Sequence, residues 1–270
     1  MNTWEDFDRE ARIVEKDTLK QAPECVQLLQ DAVGLVADAF AVQGGSNTND
    51  ATVAKMSLLS QNFATLKCTV DLALRGYYIQ SMNLLRSIDE NWIAFHYLSK
   101  YPDKAHLWLR PCKNKKPPAH SAMLNGLDKN FNPFKGGMRE WYSTLCRFAH
   151  TDPVCVLPQI STDFAPNETT IHFGSTYKDG LFRCSAFAIS IWSGLVLSDI
   201  SQLIPNTSNW HKKNIKVMER IIEFVGQENK KNSLKKPNCL KFSARDGAKT
   251  SPRLTSIVRV KGLFYGKKKT

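Results

Sequence analysis

The sequence predicts an all-α fold: an antiparallel bundle or array of about six or seven helices, with a small irregular or hairpin insertion and a basic C-terminal tail. Three observations carry this. Apolar residues recur at helical spacing over most of the first 225 residues, almost without interruption from 51 to 100. Proline, glycine and asparagine punctuate that pattern where helices end. The charge then changes abruptly. The chain of 270 residues carries a net charge of +12, all of it in residues 229–270, which hold ten Lys, three Arg and a single acid, Asp246. Residues 1–228 hold 24 basic and 24 acidic side chains and are neutral overall. The expected organisation is a helical domain over 1–227 and a solvated, disordered tail over 228–270.

Residues 3–20 read as a polar amphipathic helix with Trp4, Phe7, Ile13 and Val14 as its apolar contacts. Pro23 suits the first turn of a second helix running to about Val42. The turn formers GGSNTND (44–50) follow, and Asn49 or Asp50 can cap the next helix. Gly76 divides the long helical stretch in two, since glycine inside a helix costs about 1 kcal/mol against alanine. Pro102 and Asp103 open a short helix ending near Arg110, and PCKNKKPP (111–118) reads as an exposed loop. A further helix covers about 137–150. Residues 155–180 alternate turn formers with β-branched residues, as a hairpin or long loop does. Leu181–Ile204 is an apolar helix. Its uncharged centre, Cys184–Ser198, is 15 residues long, shorter than the roughly 20 a membrane span needs, and reads as a buried core helix. The last helix runs from Asn209 to about Val225, with Ile215, Met218, Ile221, Ile222 and Val225 inward.

Seven cysteines (25, 68, 112, 146, 155, 184 and 239) form no CxxC pair. The opening MNTWEDFDREAR is acidic and lacks the apolar stretch of a secretory signal. Together these predict a reducing cytoplasm. The sequence holds no GxGxxG, Walker loop, GxSxG or HExxH, and His96 and His106 lack i,i+4 spacing. No cofactor or metal is implied.

Two segments stand out. Between Arg75 and Lys100 lie 24 residues with only three formal charges, Arg86, Asp89 and Glu90. On a helical wheel Arg86 shares its sector with Ile79, Met82, Ile93 and Tyr97, a packed face, and Glu90 one turn later can pair with it. In MREWYSTLCRFAHTDP (138–153), His150 ends a helix, one turn after Cys146 and two after Tyr142, with Arg147 close by. Two readings of the set stand. Arg86, Glu90 and His150 line one inter-helix cleft, where arginine holds a phosphate or carboxylate and histidine serves as acid or base, with Arg147 the alternative arginine for a ribonuclease. Or they form an ion-pair network that fixes helix register.

The run YIQSMNLLRSIDENWIAFHYLSKYPDKAHLWL (78–109), followed by WYSTLCRFAHTDP (141–153), resembles the helical bacterial family known as domain of unknown function 5677. Leu84, Leu85, Arg86 and Glu90 match its first motif. Leu98, Pro102, Ala105 and Trp108 match its second, and Tyr142, Leu145 and His150 its third. The resemblance implies an all-α fold and no settled activity. A more distant likeness is to HEPN-type helical ribonucleases of defence and toxin systems, whose hallmark is an arginine, four to six residues, then histidine. Here Arg147 and His150 are separated by two residues and Arg86 and His96 by nine.

In the tail, Lys230, Lys231, Lys235, Lys236, Arg253, Lys267, Lys268 and Lys269 are the candidates for contact with RNA or another nucleic acid. A solvated tail or a non-native extension is the other reading. The working description is a helical binding module with a buried Arg–Glu–His cluster. A metal-independent ribonuclease and a tail-driven nucleic-acid binder are the alternatives. Partners, self-association included, stay open.

Overall fold

The computed structural model describes residues 3–42, 49–110, 116–127, 137–150, 161–165, 168–172, 175–204 and 209–234. Its α-helices are α1 (Trp4–Gln21), α2 (Pro23–Val42), α3 (Asp50–Leu74), α4 (Tyr78–Lys100), α5 (His106–Leu109), α6 (His120–Gly126), α7 (Met138–Ala149), α8 (Asp179–Ser201) and α9 (Asn209–Leu234). A 3₁₀ turn, Pro102–Ala105, leads into α5. The fold is all-α, with nine helices among the described residues against the six or seven expected; the helix that the sequence pattern did not show is α6. The insertion is a hairpin: β1 (Ser161–Ala165) pairs antiparallel with β2 (Glu168–His172), Ser161 opposite His172 and Ala165 opposite Glu168.

Helix α4 lies at the centre and packs on α3, α6, α7 and α8. Its partner α3 starts from Asn49, whose Oδ1 accepts from the Thr52 amide at 2.9 Å. The reversal between the two rests on Gly76, at φ +80°. A Cβ there would stand 2.6 Å from the Thr176 carbonyl oxygen and 3.0 Å from Val14 Cγ1. The turn is clamped from both sides. Thr18 donates to the Leu74 carbonyl at 3.0 Å, Ser175 donates to the Arg75 carbonyl, and the Lys178 amide donates to Tyr78 Oη at 3.2 Å. Both positive φ and close approach therefore demand glycine.

Helix α8, long and apolar enough by length and composition to cross a membrane, is instead mostly buried against α2, α3, α4 and α9. Trp92, Trp192 and Trp141 meet in the core, with ring centroids 6.1 and 6.5 Å apart.

Three expectations need correction. On α1 only Ala11, Val14 and Thr18 are buried. Trp4 is 85% exposed, and Phe7 and Ile13 also face solvent, because the start of α1 lies before its packing neighbours and Ile13 is on the opposite side of the helix. On α9 the inward stripe is Trp210, Asn214, Val217, Met218, Ile221, Val225 and Glu228; Ile215 is exposed and Ile222 only half-buried. Trp210 Nε1 sets this rotation by donating to the Leu35 carbonyl at 2.8 Å.

Finally, α9 does not stop near Gly226 but runs to Leu234. Buried Glu228 holds it there, 3.4 Å from Arg183 and 2.9 Å from Lys231. The contact with Arg183 of α8, together with burial of the helix face, outweighs the roughly 1 kcal/mol cost of an interior glycine. Lys230 and Lys231 thus belong to a helix rather than to a tail, while Lys235, Lys236, Arg253, Lys267, Lys268 and Lys269 lie outside the described residues.

Two outcomes follow. Gly76→Ala should lower stability by roughly 2 kcal/mol or more, read as a shifted urea midpoint, because it adds left-handed strain to a backbone clash. A chain cut after residue 227 should melt several degrees below one cut after 234, since only the longer retains Glu228.

Candidate functional site

The site forms where α4, α6 and α7 meet. Helix α7 is seated by Met138, Trp141 and Leu145, all buried, which turns Tyr142 and Cys146 toward α4 and leaves His150 exposed at the C-cap. Helix α6 is tied down at its far end. Lys100 and Tyr101 both donate to the Gly126 carbonyl at 3.0 Å, and Arg139 of α7 donates to Asn125 at 2.5 Å. Its first residue, His120, then reaches α4.

Arg86 donates from Nε to Glu90 at 3.0 Å and has Nη1 3.2 Å from His150 Nε2. Tyr142 donates to the same Glu90 oxygen at 2.8 Å, and the Arg86 guanidinium carbon lies 5.4 Å from the centre of the Tyr142 ring. Arg86, Glu90 and His150 therefore do meet. Arg147 lies exposed on α7, three residues before His150.

Electrostatics tie the group together. Burial pulls the Arg86 pKa down, but the bonds with Glu90 and Tyr142 carry it above its ordinary value. Burial, then the bond to Glu90, pushes the Tyr142 hydroxyl up to about 12, so it remains a donor at neutral pH.

One expectation is corrected here. Arg86 and Glu90 are only half-buried; the deeply buried charge of the trio is Asp89, at 0% exposure. Its Oδ2 stands 3.0 Å from His120 Nε2, and the His120 ring stacks on Tyr142 with centroids 4.0 Å apart and planes 15° apart. The wheel misses this because α4 is packed on several sides, so no single sector is the inside. The signal for α6 was present in the sequence: Pro117-Pro118 ahead of HSAMLN and Gly126 after it.

A second buried pair lies two turns further along α4. His96 Nε2 is 3.1 Å from Asp199 Oδ1 of α8, walled by Trp92 and Phe95. Burial raises the pKa of both Asp89 and Asp199, opposed by their histidines. Asp89 Oδ1 and Asp199 Oδ2 are buried without a hydrogen-bond partner among the described residues. Those residues include no group of three or more His, Cys, Asp or Glu placed to hold a metal ion.

No family model, curated protein or solved structure matches this chain.

The buried carboxyls set a pH dependence. A carboxyl whose pKa is raised by folding holds its proton more tightly in the folded state. Its contribution favours folding below the ordinary value of 3.8 and is lost as pH rises through the folded value. Compared with Asp199→Asn, the wild type should therefore lose stability as pH climbs from 3.8 toward neutrality. Urea midpoints across that range check this, and a difference that does not vary with pH removes the burial account.

Proposed function

We propose that the chain is a helical binding module whose Arg86–Glu90–Tyr142–His150 cluster recognises a phosphodiester, with RNA as the ligand class. The observation that carries this is the contact of 3.2 Å between Arg86 Nη1 and His150 Nε2 in a partly exposed setting. A guanidinium has five N–H donors. Glu90 takes one and fixes the plane, and His150 marks where another points, so the fork is aimed before a ligand arrives. A network serving helix register alone needs neither an exposed histidine nor an arginine directed at it. The basic C-terminal segment would add sequence-independent attraction to the same polyanion.

A second reading, metal-independent ribonuclease, is favoured by the same contact. It places an imidazole, the side chain best suited to proton transfer near neutral pH, beside an anion-holding arginine. The distant likeness to HEPN-type ribonucleases agrees with it, although the spacing of arginine and histidine differs.

The test is binding and cleavage of a labelled single-stranded RNA in EDTA by the wild type, Arg86→Ala, His150→Ala and a chain cut after 234, each checked by circular dichroism. Arg86→Ala should weaken binding about tenfold or more, the loss of a charge-assisted hydrogen bond. The cut chain should bind with a shallower dependence on salt. If folded Arg86→Ala binds RNA as the wild type does and only melts lower, the cluster is architecture and the reading falls. Cleavage by the wild type that disappears in folded His150→Ala selects the ribonuclease.

A further inference from the structure

We infer that His120, backed by Asp89, is a second acid–base group of this site and acts as the general acid that protonates the leaving oxygen of a cleaved RNA. The inference rests on the ribonuclease reading above. Its grounds are separate from those of Arg86 and His150.

Asp89 is an expensive residue. It is fully buried, one carboxylate oxygen has no partner among the described residues, and the other meets only His120. Asp199 also leaves one oxygen unpartnered among the described residues, so what sets Asp89 apart is the far side of its histidine. What Asp89 does achieve is to accept the Nε2 proton of His120 and fix that ring. The fixed ring stacks on Tyr142, whose hydroxyl is bound to the carboxylate that holds Arg86. His120 is 13% exposed at the side chain, so it is neither sealed nor loose. With Nε2 committed to Asp89, Nδ1 is left to carry and deliver a proton.

The two imidazoles are set up for opposite tasks. Arginine has no acceptor, so the His150 nitrogen facing Arg86 must present a lone pair. A phosphate that draws Arg86 toward itself uncovers that lone pair. His150 then takes the proton from the ribose 2′-hydroxyl, and the 2′-oxygen attacks phosphorus. The bond from phosphorus to the 5′-oxygen breaks, its electron pair goes to that oxygen, and His120 Nδ1–H protonates it. The products are a 2′,3′-cyclic phosphate and a 5′-hydroxyl. One proton is gained at His150 and one lost at His120, and no metal or oxidant is consumed.

A leaving group that needs no proton isolates this role. The full-length protein is assayed in EDTA on the dinucleotide UpA and on uridine 3′-(4-nitrophenyl phosphate). His120→Gln should lower kcat on UpA about 100-fold, the usual size of a general-acid contribution, with KM little changed. On the nitrophenyl ester it should cost less than about threefold, because nitrophenolate leaves unaided. The wild-type profile gives the same answer without any variant: bell-shaped on UpA, with the alkaline limb missing on the nitrophenyl ester. Equal loss on both substrates, no loss on either, or an alkaline limb on both overturns the role of His120 while leaving His150 in place. If the wild type cleaves neither substrate, this inference and the ribonuclease reading fall together. Should His120→Gln fail to fold, the wild-type profiles decide.

Discussion

Enclosure of α4 on four sides governs the rest of the molecule. Most side chains of a helix so placed face another helix, and a polar one left unmatched there costs several kcal/mol if charged. The polar residues on its covered sides are met by neighbouring helices. Asn91 donates to Asn62 of α3 at 2.9 Å, Asp89 meets His120 of α6, Glu90 accepts from Tyr142 of α7, Arg86 meets His150 beyond the same helix, and His96 meets Asp199 of α8. These contacts fix rotation and register together, since turning α4 by one residue would break all of them. Apolar packing alone tolerates such slips better.

The parts of this arrangement that could be read in the sequence were those with a local cause. A run of 24 residues with three charges announces a helix covered on most sides. Arg86 and Glu90 pair because i,i+4 geometry brings them together whatever surrounds them, and His150 ends its helix where the apolar pattern stops. Hidden were the features decided by neighbours. A helical wheel ranks sectors by hydrophobicity and has no answer when several sectors are covered, so it placed Arg86 inside and passed over Asp89. Helix α6 spans seven residues, too short for a period to show, yet it delivers His120.

The ends of the fold teach the converse. Trp4, Ile13 and Ile215 lie on helices with apolar stripes, but a stripe shows which residues could be covered and not where a covering helix begins. Gly226 looks like a stop by propensity, and the composition turns basic just beyond it. One buried carboxylate, Glu228, extends the helix through both signals. Local preference is worth about 1 kcal/mol there, and leaving buried Glu228 of the Arg183–Glu228 pair without its partner would cost more.

The two buried histidine–aspartate pairs on α4 separate architecture from chemistry. Both carboxyls are buried, both are pushed toward the neutral form, and both leave one oxygen unpartnered among the described residues. They differ in what lies on the far side of the histidine. His96 is set against the rings of Trp92 and Phe95. His120 is set against Tyr142, and from Tyr142 the contacts run through Glu90 and Arg86 to His150 at the surface. A charge change at His96 is felt by Asp199 and by the rings around it. One at His120 is felt through the ring stack on Tyr142 and then along hydrogen bonds that end at His150 on the surface. The same pair of residue types thus stands against core rings in one place and, in the reading proposed above, equips a site in the other, and the difference lies in the next side chain along.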